Sequence, residues 1–527
     1  MANHAQDHVH RLIRSLTRPE KRYYKLYTSR HLLGGHSNHH LLFDAIAAMD
    51  VYDEGALRKK FEGQAFLRSF SITKRRLYGS ILQSLNAFHA ESSLDAKLRR
   101  QLHQVELLYQ RALYQDAAKI LRSVRTQASA HERHGLLLEV VDWQRRLMER
   151  TNYQDVNGMD LDDLQAQSAV VLQGWGEMDT LWHLKSRSFL LLYRGGKARD
   201  RASEPELRAM LEHPLLAEGA QLSSRKARFL HHHVRSAIAF ALGELAECER
   251  HLDINEQLLR SEQEHFSDEP NLLLSVLSNH TYVRMRLGHY EAAIAGVKAF
   301  RRLPLMLPGA PSPDLEMKVF AMGSSLELTV LNRMGSFEQA VEKLNDVEQG
   351  LARFSDQLSV IRKAGICFQA AYACFGAGRY DKALRWCNRV LNENGIDAHE
   401  EVHTMARLLD LMVLLELGKH DLLPYALRNT ERFLRARGRD TGLERALLTY
   451  AQARTKADGR VALQRAHTAL LQALSELKAD GKEPAAFDHF DPLAWAESKA
   501  SGRSMGDVLR ERAGQGSFKP PAPKRAA

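Results

Sequence analysis

The residues whose spacing best fits catalysis are His399, Glu400 and His403, which form the pattern H-E-x-x-H. On a helix this pattern places two imidazoles one turn apart with a carboxylate beside them, as in zinc hydrolases. The longer form of the motif, which carries a third histidine, is absent, and Asp397 with Glu400 also fits the capping box that starts an ordinary helix. A zinc hydrolase using His399, Glu400 and His403 is therefore kept only as a remote alternative.

Cysteines and a run of histidines are the other candidates for metal or redox chemistry. The four cysteines are too few and too closely grouped for the disulfide framework of a secreted protein, and no two of them form a C-x-x-C pair. His231, His232 and His233 are consecutive, and consecutive side chains on a helix point in different directions. We therefore expect buried thiols, and the sequence predicts no catalytic residue, no cofactor and no metal site.

A repeated turn pattern indicates the elements that position these residues. Glycine, one residue, a bulky residue, two residues and a small residue follow in that order from Gly243, Gly288, Gly335 and Gly378. The pattern predicts helical hairpins, because glycine ends one helix in the left-handed conformation and the small side chain lets the partner helix approach. Further turns are predicted at Ala112, Thr151, Gly195, Gly418 and Gly459, which places successive turns 39 to 48 residues apart.

This pattern resembles the tetratricopeptide repeat superfamily over about residues 96–478, although the spacing exceeds the roughly 34 residues typical of that superfamily. Three stretches are also similar to those of a group of large bacterial tetratricopeptide proteins without an established activity: SLTRPEKRYYKLY (Ser15 to Tyr27), ARLLDLMVLLELGKHDLLPYALRNTERFL (Ala406 to Leu434) and FDPLAWAESK (Phe490 to Lys499). The resemblance implies one integral unit that includes both ends of the chain. It implies partner binding only by analogy with the fold.

The predicted fold is all-α, with a right-handed α-solenoid of about eight to nine long tetratricopeptide-like hairpins between a helical head and a short C-terminal cap. In the head, Thr17 and Glu20 fit a capping box at the start of the second helix. Trp495 is the expected anchor of the cap. The predicted segments are the basic helical head (1–95), the solenoid (96–478), the cap segment (479–512) and a disordered basic tail (513–527).

Charge is concentrated at the two ends of the chain. Residues 1–100 hold 17 Lys and Arg against 9 Asp and Glu, residues 501–527 hold 6 against 2, and the centre is near neutral. A nucleic-acid-binding surface is therefore expected in the two terminal segments and not in the solenoid. In the head, Lys74, Arg75 and Arg76 begin a longer basic helix after a helix-turn-helix order, which is compatible with DNA recognition. The other interpretation of the head is a cap that covers the first repeat.

The location expected for the protein is cytoplasmic. No run of residues approaches the roughly 18 consecutive apolar residues of a membrane span, and the charged N-terminal sequence lacks the apolar core of a signal peptide. The small number of cysteines agrees with a reducing compartment.

The function predicted is that of a non-enzymatic scaffold that binds a protein or peptide segment on the concave face of the solenoid. Long helical repeats present an extended groove, and no catalytic set is found. Asn279, His280 and Arg284 are the candidate partner-binding residues, since they lie in the first helix of a predicted hairpin. The alternative is a regulator that contacts nucleic acid through Lys74, Arg75 and Arg76.

Overall fold

The computed structural model describes residues 7–29, 38–91, 93–153, 158–194, 203–267, 269–306, 311–392, 401–436, 442–457, 459–480, 487 and 489–514. These residues form helices and their connections, and none of them lies in a β-strand, which confirms the predicted all-α class. Within these ranges, no helix is both long enough and apolar enough to cross a bilayer. The chain divides into two compact units, 1–172 and 173–527, and the predicted boundary at 95/96 falls inside the first.

The first unit contains eight complete helices in its described part. They are α1 (His8–Ser15), α2 (Arg18–Ser29), α3 (Asn38–Ala47), α4 (Glu54–Lys60), α5 (Phe70–Phe88), α6 (Leu94–Gln110), α7 (Tyr114–Ala130) and α8 (His134–Arg150). Helices α1 to α5 bury a cluster of their own that includes Ile13, Tyr24, Phe43, Ile46 and Leu77. Helices α6 to α8 bury a separate aliphatic cluster around Leu102, Leu121 and Val140. The head and the first repeat-like helices therefore have distinct cores.

Local sequence signals determine where several of these helices begin and end. At the start of α2, the Thr17 amide donates to Glu20 Oε2 at 2.6 Å and the Glu20 amide to Thr17 Oγ1 at 3.4 Å, which is the predicted capping box. The predicted turn after α6 is present, with Ala112 at φ 61°. A further turn, at Glu132 with φ 52°, separates α7 from α8. The sequence did not predict it, because no glycine stands there and Leu137 occupies the place of the small residue.

The second unit begins inside α9 (Gly158–Arg194) and is also helical. Its further helices are α10 (Glu204–Leu211), α11 (Arg225–Leu242), α12 (Leu245–Ser261), α13 (Gln263–Phe266), α14 (Pro270–Arg286), α15 (Tyr290–Met306), α16 (Pro313–Arg333), α17 (Phe337–Glu342), α18 (Leu344–Arg353), α19 (Val360–Gly376), α20 (Tyr380–Leu391), α21 (Glu401–Glu416), α22 (Leu423–Arg435), α23 (Gly442–Lys456), α24 (Gly459–Asp480), α25 (Pro492–Ser501) and α26 (Met505–Gly514).

Consecutive helices of this unit pair as hairpins at the predicted glycines. Between α19 and α20, Gly378 has φ 68°, its amide donates to the Phe375 carbonyl, and the Arg379 amide donates to the Cys374 carbonyl at 2.8 Å. This double closure is a Schellman motif, which needs a residue that tolerates positive φ. The small residue of the pattern, Ala383, is fully buried. Gly243, Gly288, Gly335, Gly418 and Gly459 also have positive φ.

Helix α9 differs from the sequence-based prediction. Predicted turns at Thr151 and Gly195 implied a break between them, yet residues 158–194 form one helix of 37 residues. No proline interrupts this stretch, and its internal glycines do not adopt positive φ, so nothing local ends the helix. At the first of these positions Asn152 and Tyr153 have positive φ, whereas Gly195 lies outside the described residues.

Helices α25 and α26 pack on the hairpins of the second unit. Trp495, the expected anchor, is buried among side chains of α19, α23 and α25, and its indole N–H donates to Glu416 Oε1 at 2.7 Å. Lys499 forms an ion pair with the same carboxylate at 2.6 Å. Arg510 of α26 donates to the Gly335 carbonyl at 2.8 Å. The chain after α24 therefore folds back onto the hairpins.

Candidate functional site

A groove of about 560 Å³ opens between α9, α11 and α14 in the second unit. Each helix contributes residues at helical spacing, so one face of each is directed to the same opening. The helix α9 supplies Trp175, Met178 and Trp182, α11 supplies Lys226, Phe229, Leu230 and His233, and α14 supplies Leu272 and Ser275.

Contacts of a buried carboxylate hold α9 beside the start of α11. Glu177 on α9 is 8% exposed, and its Oε2 accepts from the Ser223 amide at 2.8 Å and from the Ser223 hydroxyl at 2.6 Å. The next residue, Ser224, caps α11, because its hydroxyl accepts from the Ala227 amide at 3.0 Å. The sequence therefore fixes the first turn of α11 locally, and Glu177 anchors that turn to α9.

Two tryptophans form the rim of the groove. Trp175 and Trp182 lie seven residues apart on α9 and are 46% and 57% exposed. Side chains of this size are usually largely buried, and contiguous exposed apolar surface marks an interaction site. Phe229 and Leu230, which are themselves buried, form the floor beside them. The groove therefore offers an apolar floor with an aromatic edge.

Four charged side chains line the groove, and they are Asp179, Lys185, Lys226 and Glu269. The Lys226 ammonium lies 2.8 Å from Glu269 Oε1, so its charge is balanced. Lys185 has no carboxylate within ion-pair distance among the described residues, and its ammonium lies 5.9 Å from the centre of the Trp182 ring. Burial, together with the charge of Lys226, lowers the pKa of Lys185 below its ordinary value. Lys185 is therefore a partly desolvated cation beside the ring of Trp182.

A neutral histidine completes the floor. Burial, with the charge of Lys185, lowers the pKa of His233 to about 4, so its imidazole is uncharged near neutral pH. Its ring stacks on Phe229 with centroids 5.5 Å apart. Its Nδ1 has no hydrogen-bond partner in the described part of the chain. The side chain therefore adds to the apolar floor while it retains one unused polar atom.

The predicted partner-binding residues lie on two different faces of α14. Asn279 is exposed and follows Ser275 by one turn, so it extends the face that lines the groove. His280 is 1% exposed and lies against carboxylates of α12, and Arg284 forms ion pairs with carboxylates of the same helix. Partner binding by these three residues stays a prediction, and Asn279 alone continues the groove.

The predicted nucleic-acid residues at the start of α5 also have different environments. The Lys74 ammonium contacts Asp7 Oδ2 at 2.8 Å, Glu54 Oε2 at 3.0 Å and the Tyr52 hydroxyl at 2.8 Å. These contacts hold α1, α4 and α5 together, so Lys74 cannot reach a phosphate without breaking them.

Arg75 and Arg76 are exposed on α5. They are the two members of the predicted nucleic-acid set whose guanidinium groups are open to solvent. Nucleic-acid contact through this helix stays a prediction that depends on these two residues.

The candidate metal and redox residues that the structure describes are mostly buried. His399 and Glu400 lie outside the described residues, and His403 is buried with its ring 5.2 Å from that of Phe433. All four cysteines are buried, and burial raises the pKa of Cys374 to about 11, which leaves its thiol protonated and unreactive near neutral pH.

The histidine run does not separate into three directions as predicted, because the rings of His231 and His232 lie 4.7 Å apart. His231 contacts the Leu215 carbonyl at 2.8 Å, His232 contacts His251 at 2.9 Å, and His233 lines the groove. His231 and His232 therefore lie together near His251, whereas His233 lies apart from them in the groove.

Sequence reasoning missed the residues that shape the groove. A signal was present, since Trp175 and Trp182 are two of only five tryptophans in the chain and stand at i and i+7 on a helix. Their exposure, however, follows from the packing of α9 and cannot be read from that spacing. Comparison with protein-family models and with curated proteins finds no match to this chain.

Proposed function

We propose that this protein is a non-enzymatic interaction protein that binds a segment of a partner protein in the groove of α9, α11 and α14. The observation that carries the proposal is the pair of exposed tryptophans, Trp175 and Trp182, beside an apolar floor. Tryptophan dominates the binding free energy of many protein interfaces, because it buries a large rigid surface and keeps one polar N–H.

The apolar floor and Lys185 indicate the segment that fits the groove. Phe229 and Leu230 form an apolar floor that accepts an aliphatic or aromatic side chain. Lys185 has no carboxylate partner among the described residues, so an acidic side chain next to that apolar anchor would pair with it in a partly desolvated setting. We therefore propose a segment with an apolar residue next to Asp or Glu.

We also propose that the hairpins of the second unit stack as a right-handed α-solenoid of the tetratricopeptide type. The Schellman turns support this arrangement, and so do the small residues Ala293, Ala340 and Ala383, each fully buried at the same place of its hairpin. In such a stack the first helices of the hairpins line the concave face. Both α11 and α14 are first helices, which agrees with a binding groove between them.

No observation among the described residues specifically supports either alternative, nucleic-acid binding or zinc-dependent hydrolysis. Lys74 is engaged with Asp7 and Glu54, which leaves Arg75 and Arg76 for a nucleic-acid contact. The zinc hydrolase depends on two residues, His399 and Glu400, that lie outside the described part of the chain.

The test is a selection from a random-sequence peptide library on the immobilised full-length chain, followed by affinity measurement of the selected peptides by fluorescence polarisation. We expect peptides with an apolar residue beside an acidic one. Trp182→Ala and Lys185→Glu should each weaken their binding at least about tenfold, as for residues at the centre of an interface.

Tyr425→Ala is the matched control, because Tyr425 is an equally exposed aromatic residue of α22, at 65%, outside the groove. The Tyr425→Ala variant should bind the selected peptides with the affinity of the wild type. The proposal is refuted if no peptide family is enriched, or if the double variant Trp175→Ala, Trp182→Ala binds the selected peptides as tightly as the wild type.

A further inference from the structure

A cluster of carboxylates and a buried imidazole lies where α12 faces α14, apart from the groove residues. The exposed His289 lies at its edge, with Nδ1 3.5 Å from Glu249 Oε1. Glu249, Asp253 and Glu256 stand at i, i+4 and i+7 on α12, so their side chains share one face. His280 and Arg284, one turn apart on α14, face them. These side chains of α12 and α14 therefore meet because two amphipathic helices pack with these faces together.

The hydrogen bond of His280 to Glu256 indicates which ring nitrogen carries a hydrogen. Nδ1 of His280 lies 2.8 Å from Glu256 Oε2, and since a carboxylate only accepts, Nδ1 carries the hydrogen. In the neutral ring Nε2 is then a bare lone pair. This Nε2 is buried and makes no hydrogen bond with any described residue, although it lies only 3.3 Å from Asp253 Oδ1. A cation between two acceptors this close stabilises the arrangement, and either a proton on Nε2 or a bound metal ion supplies it.

The distances suit a metal ion in that place. One donor atom from each of Glu249, Asp253 and His280 lies within 4.8 Å of the other two. Ligands bonded to Zn²⁺ at about 2.0–2.1 Å in tetrahedral geometry are roughly 3.3 Å apart, which is the separation of Nε2 and Asp253 Oδ1. The second shell is also present, because metal-binding histidines commonly donate their other N–H to a carboxylate, as His280 does to Glu256.

We propose that Glu249, Asp253 and His280 bind a divalent transition-metal ion such as Zn²⁺, with Glu256 orienting the imidazole. The Asp253 side chain is 45% exposed, so the ion enters from solvent and water completes its coordination. The site does not depend on the peptide groove. In this proposal His280 is a metal ligand, whereas the sequence analysis predicted that it binds a partner protein.

Arg284 is a built-in competitor for the same carboxylates. Its Nε lies 3.3 Å from Glu249 Oε1 and its Nη2 lies 3.1 Å from Asp253 Oδ1. The guanidinium therefore neutralises the pair when no ion is bound, and metal binding exchanges it for the ion. Arg284 is 25% exposed, so its head can turn to solvent. Removal of this cation should consequently tighten metal binding.

The test is titration of the metal-free full-length protein with Co²⁺, which reports coordination through its visible absorption, and competition of the bound Co²⁺ by Zn²⁺. We expect one site whose affinity falls about 10- to 100-fold in Glu256→Gln, the range for loss of a second-shell partner. Asp253→Asn should weaken binding further, and Arg284→Met should tighten it.

His232→Ala controls for incidental binding by the other histidines, and it should leave the Co²⁺ spectrum and affinity unchanged. Far-UV circular dichroism establishes that each variant is folded. Asp253 and Arg284 are partly exposed, so their variants decide the outcome even where substitution of buried His280 prevents folding. The proposal is overturned if Asp253→Asn binds Co²⁺ like the wild type, or if Arg284→Met binds it no more tightly.

Discussion

Replacement of Gly376 by alanine tests how closely neighbouring hairpins pack in the second unit. Gly376 is the last residue of α19, and a Cβ built on it would lie 2.4 Å from three ring atoms of Phe337 on α17. Since carbon atoms pack at about 3.5 Å or more, the ring would have to move by roughly 1 Å. Phe337 is buried and its ring meets that of Tyr372 at 5.6 Å, which restricts this movement.

The expected size follows from two opposing contributions. Alanine gains at most about 1 kcal/mol over glycine in a helix, whereas an inserted methyl group in a packed core costs about 1–3 kcal/mol. Because the neighbouring atoms belong to a confined aromatic ring and not to a flexible side-chain end, we expect a cost near the upper limit. Gly376→Ala should therefore lower the free energy of unfolding by about 1–2 kcal/mol.

Gly365→Ala, in the same helix, is the matched control. A Cβ on Gly365 meets no atom within 4 Å, so only the helix propensity acts and stability should rise by about 0.5–1 kcal/mol. Urea unfolding followed by circular dichroism measures both variants against the wild type. We expect Gly365→Ala to raise the urea midpoint. If Gly376→Ala raises it as well, Phe337 of α17 does not pack closely against Gly376 of α19.

Two further predictions concern the core of the second unit. Ala293→Leu and Ala383→Leu should each lower the unfolding free energy by about 1–3 kcal/mol, because both alanines are fully buried at helix contacts; unchanged urea midpoints would contradict the hairpin register. Burial raises the pKa of Asp410 from 3.8 to about 6, opposed by the charge of Arg407. The folded state thus holds a proton that the unfolded state releases, so this group loses stabilising effect as pH rises from about 4 to about 6. Asp410→Asn should stabilise the protein relative to the wild type at pH 7 but not at pH 4, and an equal difference at both pH values would refute the assignment.

Several local features were predictable because they depend on a few consecutive residues. The capping box of Thr17 and Glu20 needs only an acceptor and a carboxylate three residues apart. The turn at Gly378 needs only a residue that tolerates positive φ after an amphipathic helix. Ala112 adopts the same conformation without glycine, and it was found through the bulky residue that follows it.

Other elements were missed where the local signal is weak. The turn at Glu132 has no glycine, and its positive φ is held by a hydrogen bond from the Arg133 amide to the Ala128 carbonyl at 2.8 Å. The length of α9 was also missed, because the prediction relied on the turn residue Gly195 and gave too little weight to the lack of proline in residues 158–194.

By itself the sequence determined the helical class, the hairpin turns and the small buried residues, since each depends on periodicity or on the conformational preference of one residue. Only the tertiary structure decided what the charged and aromatic residues do. The sequence suggested that Lys74 contacts phosphate, whereas in the structure its ammonium donates to Asp7, 67 residues earlier in the chain. Trp182 lines a groove that α9 forms with α11 and α14, and Glu177 of α9 accepts a hydrogen bond from the Ser223 amide before α11. Side-chain roles of this kind depend on which distant groups share a dielectric environment, and sequence spacing does not contain that information.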